Sequence, residues 1–135
     1  KRIIPTSIEE LEEEFRRARI AEHPYQFIHI SSHASPVGML INGINVNPFR
    51  LAKMIDKTKV LVLAGCKDIR IADRLVGVAD YIISLREDTA TELLEEFTYL
   101  FWRNINLGIP VNQAYDQAIR LLPELKNQID FRAAK

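Results

Sequence analysis

Two residues in this chain have the chemistry of a nucleophile and its base: Cys66, the only cysteine among 135 residues, and His33, one of three histidines. Each closes an apolar, β-rich run, FIHISSHAS over residues 27–35 and VLVLAGCKD over 60–68. A thiol attacks a carbonyl well only as thiolate, so Cys66 needs a base, and His33 is the natural one. Acyl transfer also needs N–H donors for the developing oxyanion. The amides of the loops after each strand can supply them, because successive N–H groups in such turns point outward. A lone cysteine at the end of a buried strand is also a common packing residue. The chemistry therefore depends on whether the two runs are neighbours. A disulfide within the chain is excluded in either case.

Other chemistry is less well supported. His29 and His33 form an H-x-x-x-H string, which on a helix would suggest a metal pair. On a strand those four steps span ~13 Å, too far for one ion to bridge. No metal is expected, and His29 is expected to be a buried, hydrogen-bonded strand residue. His23 lies in a turn with Pro24 and is expected in an exposed loop. Neither G-x-G-x-x-G nor a G-K-S/T loop occurs, and Gly65-Cys66-Lys67-Asp68 lacks the glycine spacing, so no cofactor is implied. Phe97, Tyr99, Phe101 and Trp102 share one helix and read as core contacts, with some possible exposure to a partner helix.

Composition bounds the rest. A chain of 135 residues supports one domain with a single core. Lys plus Arg equals Asp plus Glu at 18 each, and no basic patch stands out, so nothing points to nucleic acid. No apolar stretch approaches the length of a membrane span. One unpaired thiol and no visible signal peptide point to a reducing, cytoplasmic setting. A first residue of Lys1 rather than Met suggests a piece of a longer chain.

The residues that must position Cys66 and His33 alternate between two periodicities. Thr6 or Ser7 caps a helix over 8–21, with Glu9 and Glu10 placed for a capping box and an acidic-to-basic gradient that suits the macrodipole. Tyr25–Ser31 and Lys59–Gly65 are apolar runs expected as strands buried on both faces. Val37–Ile41 and Ile44–Val46 flank Asn42-Gly43, a tight-hairpin signal. Asn47-Pro48 opens a short helix continued by Phe49–Ile55. Ile69–Val76 reads as helix stopping at Gly77, and Ala79–Leu85 as a third strand. Glu87–Leu107 is the longest helix, and Val111–Leu122 is the last well-signalled one.

Helices alternating with fully apolar strands predict an α/β sandwich around a mostly parallel sheet. Strands 25–31 and 59–65 are expected to be adjacent and parallel, because a hairpin and a helix separate them. A strand at 79–84 is expected on the far side of 59–65, with Ser84–Asp88 at the same edge. Sites in such sheets form beyond the carboxyl ends of the strands, where His33 and Cys66 both fall. Neighbouring strands would bring their side chains within roughly 4–7 Å.

These strings resemble the CHAT domains, relatives of caspases and separase. His29-Ile30-Ser31-Ser32-His33 is similar to the family's H-x-x-x-H element, whose second histidine is the catalytic base. Gly38–Gly43 looks like its glycine-containing hairpin, and Val60–Cys66 like its nucleophile strand. Gly77–Ser84 resembles the next strand. Asp88, Thr91, Leu93, Leu94 and Phe97 follow the family's helix pattern, and Gly108, Ala114 and Ala118 follow that of its final helix. The likeness runs over residues 6–120. Ala34 stands where the family has glycine.

The resemblance implies a caspase-like three-layer sandwich with a small β-hairpin insertion, spanning 1–135 as one CHAT-type domain of a longer chain. It implies a cysteine endopeptidase with His33 and Cys66 as catalytic dyad and the Ala34 and Cys66 amides as oxyanion donors. Asp68, Glu87 or Asp88 would favour a basic residue before the scissile bond. Its partners would be a protein or peptide substrate and flanking regulatory domains or a regulatory protein, with no nucleic acid, membrane, metal or cofactor. The alternative from another class is a caspase-like domain that has lost catalysis and serves as an interaction module. A third reading is a generic ligand-binding α/β domain in which both residues are incidental.

Overall fold

The computed structural model describes residues 4, 6–21, 26–31, 33–35, 38–41, 43–64, 69–86 and 91–133; at 33–35, 38, 39, 69, 70 and 91 it describes the backbone alone. Helix α1 (Ile8–Ile20) begins where the sequence places a cap: Ser7 is extended and its hydroxyl accepts the Glu10 N–H at 3.1 Å. Glu10 takes the Thr6 hydroxyl at 2.7 Å, which ties the capping residues into one local network. Leu11 and Phe15, four apart, form its buried stripe.

The chain continues through β1 (Phe27–Ser31), β2 (His33–Ser35), β3 (Gly38–Ile41) and β4 (Ile44–Val46). Helix α2 (Pro48–Ile55) starts with Asn47 capping the Phe49 N–H at 2.8 Å and proline at the first helical position. Then follow β5 (Thr58–Ala64), α3 (Ile69–Arg74), β6 (Ala79–Leu85), α4 (Thr91–Asn106), α5 (Val111–Leu121) and β7 (Ile129–Ala133). No described helix is long and apolar enough to cross a membrane.

The central sheet has the order β1-β5-β6-β7, with β1, β5 and β6 parallel and β7 antiparallel to β6. A second sheet, β2-β3-β4, is antiparallel throughout. Gly43, with φ at 79°, lies between the paired residues Ile41 and Ile44; that left-handed backbone strongly favours glycine in a tight turn.

Strand β5 shows why the sheet needs helices on both faces. Leu61 and Leu63 join a core with α1, α2 and α3, while Val60 and Val62 join another with α4 and α5. All four are buried, as period-two alternation between two apolar layers requires. The second core contains a continuous row of rings from one sheet edge to the other. Phe27 meets Trp102, then Phe101, Phe97, Tyr115, Phe131 and Tyr81 follow, each centroid 4.4–6.1 Å from the next. Such pairs add stability beyond the area they bury.

The mixed α/β architecture with a mostly parallel sheet between helices agrees with the sequence reading. Both expected parallel pairings are present. Four expectations need correction. Strand β1 is an edge strand among the described residues, with Phe27 and His29 exposed, and not a strand buried on both faces. Its apolar run packs Ile28 and Ile30 on one side and leaves the other to α4. The expected hairpin is part of a three-stranded sheet, because residues 33–35 pair back onto β3. Helix α3 ends at Arg74, and Val76 forms a bridge to Ala79 ahead of Gly77, whose φ is 94°. Finally, β7 had no sequence counterpart. It pairs all five of its residues with β6, from Tyr81↔Ala133 to Leu85↔Ile129. The described part of α4 begins at Thr91, so the expected helical start at residue 87 lies outside the described residues.

Candidate functional site

The carboxyl end of the sheet is assembled from the ends of β1, β5 and β6. The β1–β5 ladder runs in register from Phe27↔Val60 to Ser31↔Ala64, its last pair. His33 follows Ser31 by two positions, and Cys66 follows Ala64 by the same two. On the other side of β5, the ladder with β6 reaches Val62↔Ile83. Ser84 and Leu85 therefore end β6 at the same edge.

The backbone of His33 opens β2 opposite Leu40, and Ala34 pairs with Met39. Ala34 thus lies in extended strand, which alanine adopts without strain. The side chains of His33 and Ala34 lie outside the described residues, as do all of Cys66, Asp68, Glu87, Asp88 and His23. The structure thus brings β1 and β5, the strands that precede His33 and Cys66 in sequence, side by side, while His33 itself opens a strand of the second sheet. The expected side-chain approach lies outside the described residues.

Described side chains at this edge add features the sequence did not flag. Ser84 is fully buried, and its hydroxyl has no hydrogen-bond partner among the described residues. An unsatisfied buried hydroxyl costs about 1–3 kcal/mol. Arg86 donates to Asp130 at 2.6 Å, while its N–H bonds Gln128 at 2.8 Å. Its charge is engaged by Asp130 of β7.

His29 is not the buried residue expected. It is hydrogen bonded, since Trp102 Nε1 donates to its Nδ1 at 3.1 Å, but the residue remains open to solvent on one side. Desolvation by the surrounding rings and strand holds its pKa below 6.5. No sequence signal marks this contact, because 73 positions separate its partners. Trp102 itself is half-buried and lines a shallow groove on α4 with Thr98, Tyr99, Arg103, Asn106 and Leu107. Because Trp102 touches Phe27 and His29, the first and third residues of β1, this groove lies toward the amino ends of the strands, away from the candidate site.

No protein-family model matches this sequence, and no curated protein is similar to it.

Proposed function

We propose that this chain carries the His–Cys site of a caspase-like cysteine endopeptidase, built on a fold of the CHAT kind. The observation that supports it most is the parallel β1–β5 ladder, whose last pair, Ser31↔Ala64, stands two positions ahead of both His33 and Cys66 in the sequence. Neighbouring parallel strands lie ~4.8 Å apart, so β1 and β5 would deliver the residues that follow them to one site at the carboxyl edge.

In this reading His33 takes the thiol proton of Cys66, and the thiolate attacks the scissile carbonyl carbon. Amides at Ala34 and Cys66 hold the oxyanion. As the tetrahedral intermediate collapses, the C–N bond breaks and His33 passes its proton to the leaving amine. Water, deprotonated by His33, then cleaves the thioester and restores the thiol. Asp68, Glu87 and Asp88 supply negative charge for a basic side chain on the acyl side.

A peptide electrophile ending in arginine tests the reading. Mass spectrometry should find it on Cys66 in the native chain and not after prior unfolding or in His33→Ala. A Cys66 that stays unmodified, or reacts equally in all three, would sink the protease and leave an interaction module as the better account.

A further inference from the structure

Edge strand β1 and helix α4 meet through one polar contact, the Trp102 indole N–H on His29 Nδ1 at 3.1 Å. The two rings lie 6.1 Å apart at 60°, and Trp102 is further seated by Phe27 at 6.1 Å and Phe101 at 5.0 Å. An indole N–H can only donate. The imidazole nitrogen facing it must therefore offer its lone pair, which makes His29 neutral with its proton on Nε2.

We propose that the His29–Trp102 contact is a proton-operated latch between β1 and α4. A proton from solvent on Nδ1 turns that nitrogen into a donor, sets two N–H groups against each other, and releases the indole from the strand. Among the described residues little offsets the new charge. The strand, Phe27–Ser31, contains no charged residue, and its ladder partner for His29 is Val62 on β5. One turn from Trp102, α4 offers Thr98, Tyr99, Ile105 and Asn106. Arg103 directs its guanidinium over the Tyr99 ring at 5.8 Å. The direction of the His29 shift, downward by desolvation with no charged contributor, agrees with this environment. The latch bears on the strand that leads to His33, four positions on, but does not depend on what His33 does.

Trp102 is the sole tryptophan, so the fluorescence of the whole chain reports on the latch. Titration from about pH 8 to about pH 5 spans the histidine range. It should change Trp102 emission with a midpoint below 6.5 while far-ultraviolet circular dichroism stays constant. His29→Gln keeps an acceptor oxygen but cannot take up a proton, and its emission should stay flat. A transition that persists in His29→Gln, a midpoint at or above 6.5, or no transition in the native chain would overturn the latch. An NMR titration of the His29 ring gives an independent arm. In Trp102→Phe its midpoint should move up toward 6.5, and an unmoved midpoint would also overturn the proposal.

Discussion

Strand β1 closes one edge of the central sheet without a charged side chain, whereas β7 closes the other with Asp130 and Arg132. Asp130 is only 7% exposed, and both its oxygens are taken, one by Arg86 and one by Arg132, each at 2.6 Å. Arg132 reaches on to Asp73 of α3, also at 2.6 Å. An edge strand presents unpaired backbone groups, and charged side chains are one way proteins keep such an edge from pairing further. At β1 that role falls to ring contacts, with Phe27 still 46% exposed and Trp102 standing over it. The edge fixed by ion pairs, where Asp130 pairs with Ser84, flanks the end of β6 beside the candidate site. The edge held by rings and one neutral hydrogen bond carries the strand that runs into it.

That contrast can be broken from the middle. Phe101 is fully buried within the ring row that joins the two edges, between Trp102 and Phe97. Phe101→Ala should cost about 3–5 kcal/mol, read as a lower denaturant midpoint, and should raise amide exchange in β1 and β7 together. Asp130→Ala should act on one side alone. Removing a nearly buried carboxylate takes away the ion-pair partner of Arg86 and leaves Arg132 with Asp73 alone. Because Arg86 is half-exposed, the cost should be about 2 kcal/mol rather than the larger loss for a fully buried pair. Exchange should quicken at Ile129–Ala133 and stay unchanged at Phe27–Ser31. Raising salt toward about 1 M should weaken the β7 edge by less than about 1 kcal/mol, through screening of its half-exposed members, with no effect on β1.

The smallest expected effect reverses the sides. A histidine whose folded-state pKa lies below 6.5 binds fewer protons than in the unfolded chain. Its neutral form is favoured by the fold, so stability should fall as pH drops through 6.5 toward the folded-state value and level off below it. Urea midpoints across that window should show this loss in the native chain and not in His29→Gln, while exchange at β7 remains constant.

The same two edges show what could be read beforehand. The ends of β6 and its parallel partnership with β5, the Asn47 cap and the tight turn at Gly43 follow from local chemistry, and each lies where its residues indicate. The run FIHIS reads as strand correctly, but its place at an edge depends on a tryptophan 73 positions beyond His29. IDFRA alternates apolar residues with charges, and nothing local says that Asp130 will be buried. Its partner Arg86 lies 44 positions away. Legibility fails where burial is decided by distant partners. For the candidate site, apolar runs and their connection were enough to place the strand ends. That the Ser84 hydroxyl has no partner among the described residues was not foreseeable, because a serine within an apolar run carries no mark of it.

The pairing of His33 with Cys66 can be tested without a substrate. The alkylation rate of Cys66 by iodoacetamide, followed against pH, measures how much thiolate is present. If His33 serves as its base, the native chain should show a reactive thiolate well below the ordinary thiol value of about 8.5, and His33→Ala should return the profile to that value. Identical profiles for the two proteins, both centred near about 8.5, would contradict the account.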